Sequence, residues 1–312
     1  MKLSIIIPSF NEEGNIIELS NKIINTIKNI DFEILFINDG SIDKTLEKIK
    51  TVFNKYPNII KYISFSKNFG KDAAIYAGLK KANGDYICII DSDLQQNPKY
   101  IISMYEYLDN NPNVDQIAMV MKNRKKENVF NRLCKKIFYN FINKLSDTEF
   151  IDGASDFRMF RKNVKKAILE LTEKNRFSKG IFSWIGFNTQ YMYYNVEERY
   201  SGKTKFPINK QINYAITGIT NYSTIPLKIA FVLGLIISIL SFIYIIITLI
   251  QLLIFGKDVP GYASLLIVSL FMGGLQMMFI GIIGSYIGKT YIETKNRPIY
   301  IEKESEGFDE IL

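Results

Sequence analysis

Two hydrophobic rhythms alternate from Leu3 to Ile90. Leu3–Ile7, Phe32–Ile37, Ile59–Ser64 and Tyr86–Ile90 are nearly unbroken apolar runs, the pattern of buried strands. Between them, apolar residues recur at helical spacing. Ile16, Ile17, Leu19, Ile23, Ile24 and Ile27 mark a helix over Asn15–Lys28, with Asn15 or Asn11 as its cap. Thr45–Phe53 and Asp72–Ala82 read as two more helices, and Pro8 is expected to close the first strand. This alternation predicts an α/β unit around a mainly parallel sheet.

In such sheets ligands bind outside the carboxyl ends of the strands. Three polar clusters fall there: Pro8-Ser9-Phe10-Asn11-Glu12, Asn38-Asp39-Gly40-Ser41 and Asp91-Ser92-Asp93. The third places two carboxylates one residue apart. Like charges that close repel unless a cation neutralises them. Oxygen ligands of this kind suit Mg²⁺ or Mn²⁺, and Mg²⁺ is commonly completed by substrate phosphates. Asp and Ser are also ordinary turn residues, so D-x-D alone leaves a turn equally open; the convergence of three clusters favours a metal–nucleotide site. Neither G-x-G-x-x-G after the first strand nor G-x-x-x-x-G-K-[ST] is present, which disfavours dinucleotide oxidoreductases and P-loop NTPases.

The alternation stops near residue 115. Asp115–Val120 reads as another strand, and Asn128–Leu145 as a basic, aromatic-rich helix. Ile229 to about Phe255 and Ala263 to about Ile287 are long enough to span a hydrocarbon core, which takes about 20 residues. Their short connection carries only Lys257, whereas Lys203, Lys205, Lys210, Lys228, Lys289, Lys295 and Arg297 flank the pair. The positive-inside rule then places the domain of residues 1–210 and the tail of residues 289–312 in the cytoplasm. Residues 211–228 carry Ile212, Ala215, Ile216 and Ile219 at helical spacing. They suit an amphipathic interfacial helix or one packed on the soluble domain. Gly284 and Gly288 permit close helix contact and are compatible with a homo-oligomer.

Composition narrows the chemistry. There are 39 Lys+Arg against 31 Asp+Glu, a net charge of +8 that suits phosphates and anionic lipid. No nucleic-acid motif accompanies it. There is no histidine, so His general bases, Ser-His-Asp and Cys-His machinery and His-based zinc sites are excluded. Two cysteines, Cys88 in a strand and Cys134 in a basic stretch, make no disulfide framework, so a reducing compartment is expected. The N-terminus does not read as a signal peptide.

Taken in order, Pro8-Ser9-Phe10-Asn11-Glu12-Glu13, Asn38-Asp39-Gly40-Ser41, Asn68-Phe69-Gly70-Lys71 and Asp91-Ser92-Asp93-Leu94-Gln95 resemble the inverting family 2 glycosyltransferases of the GT-A fold. Asp156-Phe157-Arg158, Arg176-Phe177, Trp184-Ile185-Gly186-Phe187, Arg199-x-x-Gly202-Lys203-Thr204-Lys205 and the terminal spans resemble the polyprenyl-phosphate subgroup. That subgroup includes dolichyl-phosphate mannose synthase and bacterial undecaprenyl-phosphate glucosyltransferases. Asn38 stands where the subgroup often has Asp, and Thr204 where Ser is common.

The resemblance implies transfer of a sugar from a nucleotide-sugar, a UDP-hexose foremost, to the phosphate of a membrane polyprenyl phosphate. Asp91 and Asp93 would hold Mg²⁺ or Mn²⁺. Pro8, Phe10, Glu12 and Asp39 would hold base and ribose, Ser92 and Gln95 the diphosphate, and Arg124 would add a cation there. Arg158, Arg199, Lys203 and Lys205 would meet the lipid phosphate, with Arg199 and Asp93 also counted among the catalytic residues. Asp156 would serve as base or would orient Arg158 or the acceptor. The expected setting is the bacterial cytoplasmic membrane, crossed by both spans. A processive polysaccharide synthase is a rival, although Gln-x-x-Arg-Trp is absent and Trp184 is the lone tryptophan. A non-catalytic membrane-anchored scaffold is another, weakened by the intact acids.

Overall fold

A computed structural model of the chain describes residues 2–122, 153–197, 224–255 and 261–308. The expected helix 128–145, most of the segment 211–228, and Arg124, Arg199, Lys203 and Lys205 lie outside the described residues.

Eight strands among the described residues form one sheet: β1 (Leu3–Ser9), β2 (Phe32–Asn38), β3 (Ile60–Phe65), β4 (Tyr86–Ile89), β5 (Gln116–Met121), β6 (Ala154–Arg161), β7 (Thr189–Tyr194) and β8 (Glu302–Glu306). Their order is β7-β5-β6-β4-β1-β2-β3-β8. The centre is parallel, with β1 between β2 and β4 and with β2 beside β3. β6 runs antiparallel to both β4 and β5. β7 returns parallel to β5. Pro8 does not end β1, which continues to Ser9; it sits past the last β1–β4 pair, Ile6↔Ile89.

Helices cover both faces because each inner strand is apolar on both. On one face Leu3, Ile5, Ile7, Ile34 and Phe36 pack with Ile16, Leu19 and Ile23 of α1 (Ile16–Thr26), Ile49 and Val52 of α2 (Thr45–Lys55) and Ile101, Met104 and Leu108 of α4 (Lys99–Asn110). On the other, Ile6, Leu35, Ile37 and Ile87 meet Ala73, Ala74 and Ala77 of α3 (Lys71–Lys81). Val164 and Ile168 of α5 (Lys162–Glu170), with Ile181 and Phe182 of α6 (Ser178–Trp184), complete that layer. The alanines of α3 let it lie close to β1: a Cβ on Gly78 would come 2.4 Å from Ile6 Cγ2.

The C-terminal segment is not a tail. Residues 302–306 form β8, antiparallel to β3 on the outer edge of the sheet. The chain divides into Met1–Gly218 with Arg297–Leu312 as one compact unit and Ile219–Asn296 as another. The second unit holds α7 (Ile225–Phe255) and α8 (Tyr262–Thr294). At 31 and 33 residues, both exceed the length needed to cross a membrane, and both are apolar enough to do so.

Candidate active site

The loops after β1, β2 and β3 are tied into one cradle. Asn11 has a left-handed backbone (φ 52°) that its amide side chain tolerates. Its Oδ1 accepts from the Ile42 N–H at 2.9 Å, and its own N–H donates to Ser41 Oγ at 2.9 Å. Glu12 N–H donates to Thr45 Oγ1 at 2.7 Å. Neither asparagine caps α1 through its side chain; Asn15 Nδ2 instead donates to Glu12 Oε2 at 2.5 Å. Gly40 turns the β2 loop at φ 63°, and a Cβ there would fall 2.2 Å from the Lys67 carbonyl carbon. Only glycine lets this turn lie so close to the loop after β3.

Asp39 is 3% exposed and anchors the cradle. Its Oδ1 accepts from Phe69 N–H at 2.7 Å and its Oδ2 from Gly70 N–H at 2.9 Å. Burial pushes its pKa up to about 6 against the pull of those two N–H groups. Beside it, Asn38 Nδ2 donates to Ser64 Oγ at 2.9 Å. A cleft of about 380 Å³ opens here, with Phe10, Asn38, Ser41, Ser64 and Lys303 among its walls.

The acids gather at the end of β4. Asp91 N–H donates to Gln96 Oε1, and Gln96 Nε2 donates back to Asp91 Oδ2, both at 2.9 Å. The same Nε2 reaches Ser155 Oγ of β6 at 3.3 Å. Leu94 (φ 61°) makes the loop double back, and Gln95 N–H donates to Asp93 Oδ1 at 3.2 Å. Antiparallel β6 delivers Asp156 to the same place. Lys71, the first residue of α3, joins the two: its Nζ lies 2.5 Å from Asp91 Oδ1 and 2.8 Å from Asp156 Oδ2.

The charges explain one another. Burial opposes the charged form of Lys71, yet Asp156 and Asp91 overcome it and hold the ammonium above the ordinary lysine range. Its side chain is 41% exposed, so water screens part of that attraction. Burial raises Asp91; Lys71 opposes the rise, while Asp156 and Asp93 add to it. For Asp156, burial would raise the pKa, but Lys71, Lys179 and Arg158 bring it below the ordinary carboxylate range.

These residues fit a divalent cation. Three carboxylates crowd one site, and Asp156 Oδ1 is buried without a hydrogen-bond partner among the described residues. Among those residues, however, no group of three metal-ligating side chains closes around a point. An oxygen site finished by a ligand's phosphates has this character.

Several of these groups carry no local signal in the sequence. Lys71 stands out only within Asn68-Phe69-Gly70-Lys71, and Gln96, Ser155 and Lys179 have no signal of their own. Arg158 is 4% exposed, with its guanidinium 3.8 Å from the Phe182 ring centroid and donating to Ser155 O at 3.2 Å. Its charge acts on Asp156 from this buried position. Arg176, also buried, donates to Leu171 O at 2.6 Å and packs over Tyr76.

A model of the family described as Glycosyl transferase family 2 matches residues 4–169, which contain the cradle, the acids and Lys71. The chain belongs to glycosyl transferase family 2. Relatives of this family 2 glycosyltransferase match it almost end to end. The prophage bactoprenol glucosyl transferase homolog of Escherichia coli (strain K12) is 40% identical over 305 residues, 97% of this chain and 99% of that one. The bactoprenol glucosyl transferase of Shigella phage SfII is 39% identical over 307 residues, 98% of each chain. Among solved structures, the glucosyl-3-phosphoglycerate synthase of Mycobacterium tuberculosis, crystallised with Mn²⁺, UDP and phosphoglyceric acid, superposes with a TM-score of 0.51. That match is 14% identical, covers 70% of this chain and 76% of that one, and shows the shared GT-A fold. The glycosyltransferase thus has a GT-A domain followed in sequence by two apolar helices suited to membrane association.

Proposed function

We propose that this glycosyltransferase moves a hexose from a UDP-hexose to the phosphate of a membrane polyprenyl phosphate, with inversion and with a bound Mg²⁺ or Mn²⁺. The observation that carries the reading is one sheet edge holding a cleft at the ends of β1–β3 and an acid cluster at the end of β4. Strands lie about 4.8 Å apart, so β3 and β4, three spacings apart in the sheet, are separated by about 14 Å. A nucleoside diphosphate laid across the strand ends would put its base at the cleft and its diphosphate at the acids. The near full-length likeness to bactoprenol glucosyl transferases supports a polyprenyl phosphate as acceptor.

The reaction breaks the bond from the anomeric carbon to the diphosphate oxygen and forms one to an acceptor phosphate oxygen. The nucleoside diphosphate leaves with the bonding electrons. Asp91 and Asp93 would hold the cation, which when bound neutralises that leaving charge. Lys71 would keep Asp91 and Asp156 ionised and placed. Phosphate monoesters have a second pKa near about 6, so the acceptor is largely ionised at neutral pH. A strong base is not required. The depressed basicity of Asp156 suits orientation of the acceptor better than proton abstraction. Arg199, Lys203 and Lys205 remain the proposed lipid-phosphate cations, and Arg124 a diphosphate cation. Two spans would tether the domain in the bacterial cytoplasmic membrane with both ends in the cytoplasm, because a polyprenyl chain cannot leave the bilayer.

A donor screen tests this. With undecaprenyl phosphate and Mg²⁺ or Mn²⁺, UDP-hexoses should release UDP, and omission of the lipid phosphate should stop the release. Absence of release from every common nucleotide-sugar would favour the scaffold reading.

A further inference from the structure

The strand that follows the second apolar helix ends up at the candidate nucleotide cleft. β8 reads Glu-Lys-Glu-Ser-Glu, a composition that says exposed tail. Its place is set by pairing: Tyr62↔Glu306, Ile63↔Ser305 and Ser64↔Glu304. Tyr300 stacks on Phe65 with centroids 4.8 Å apart, and Ser66 N–H donates to Ile301 O at 3.0 Å. Glu304 meets Lys50 Nζ of α2 at 2.6 Å.

The register then skips. After Ser64↔Glu304 the next pair is Phe65↔Glu302, so Lys303 is an extra residue with no partner across the ladder. A bulge of this kind bends its strand and re-aims the side chain, and bulges concentrate beside functional sites. Here the extra residue lines the cleft with Phe10, Asn38 and Ser64. The glutamates on either side are engaged elsewhere: Glu302 accepts from Ser305 Oγ, and Glu304 pairs with Lys50. Lys303 has no hydrogen-bond or ion-pair partner among the described residues, and it is exposed.

We infer that Lys303 is a nucleotide-binding residue, contacting the nucleoside half of the donor from the C-terminal strand. This rests on the proposed donor reading. A lysine ammonium offers three donors and no acceptor, so it matches carbonyl or hydroxyl oxygens of base and ribose. The acids sit at β4, on the far side of β1–β3 from β8, so the diphosphate would lie away from Lys303. The binding pocket would therefore be completed by residues beyond the apolar helices, outside the 4–169 family match.

The experiment is calorimetric titration of the full-length protein in detergent with UDP and with UMP, each with Mg²⁺. Lys303→Met keeps the aliphatic stem and removes the donors. It should weaken UDP and UMP by the same factor, roughly ten- to a hundredfold, the range of a hydrogen bond from a charged group. The thermal midpoint without ligand should not move. Lys303→Arg should recover part of the affinity. Unchanged UDP affinity in Lys303→Met overturns the inference while leaving the donor reading intact. A loss confined to UDP also overturns it, by placing Lys303 on the diphosphate. If the wild-type protein binds neither nucleotide, the donor reading fails and the inference with it.

Discussion

Lys71 Nζ stands 2.5 Å from Asp91 Oδ1, a cation inserted into the acid cluster from the first turn of α3. With Asp156 2.8 Å from the same nitrogen, one ammonium balances two carboxylates. Lys71→Met removes it and leaves like charges facing each other. Asp91 should then hold a proton more readily, and turnover should fall about 10- to 100-fold, the usual cost of losing support behind a ligand carboxylate. Lys71→Arg should keep part of the rate. UDP release at saturating UDP-hexose and polyprenyl phosphate measures this. A Lys71→Met variant with wild-type turnover would remove Lys71 from the mechanism.

In the proposed site Gln96 positions Asp91. It is buried, and its amide grips Asp91 on both the backbone and the carboxylate while reaching Ser155. Gln96→Leu leaves the Asp91 N–H without its partner, at a cost of about 1–3 kcal/mol in stability. Support lost behind a ligand carboxylate typically weakens metal affinity about 10–100-fold. The apparent Mn²⁺ affinity should therefore fall in that range at saturating UDP-hexose. The thermal midpoint and a Mn²⁺ titration of activity separate the two effects.

Asp39 gives the protein a pH signature. An Asp in the unfolded chain titrates near 3.8, whereas Asp39 titrates near about 6. Between those values the folded protein holds a proton that the unfolded chain has released. The contribution of Asp39 to stability therefore falls as pH rises through the window, by on the order of 3 kcal/mol. Asp39→Asn cannot titrate, so its thermal midpoint should change less between pH 4 and pH 6 than that of the wild type. Equal slopes would place the titration elsewhere.

The parallel half of the fold is legible because physics repeats itself there. Each of β1–β4 is an apolar run buried on both faces, and α1–α3 carry their apolar stripes at helical spacing. The strand ends could be read as a site since topology alone brings them to one edge. α4 carries the same kind of signal in Ile101, Met104, Tyr105 and Leu108. β6 and β8 are different. Asp156 and Arg158 in β6 read as chemistry, not as strand, and β8 is mostly glutamate. Both are strands because a neighbouring edge offers hydrogen bonds, which no local pattern announces. Lys71 escaped for a similar reason: a charge at a helix start is commonplace, and its partners lie 20 and 85 residues further along the chain.

In the proposed reaction Asp93 belongs to a site that charges a membrane lipid phosphate with sugar. The direct measurement uses membranes containing the protein, Mg²⁺ or Mn²⁺ and radiolabelled UDP-glucose or another UDP-hexose. Label should move into an organic-solvent-extractable product sensitive to mild acid, and Asp93→Ala should abolish it at equal protein level. Label accumulating instead in a high-molecular-weight polymer, or an Asp93→Ala variant that makes the lipid product at the wild-type rate, would contradict the account.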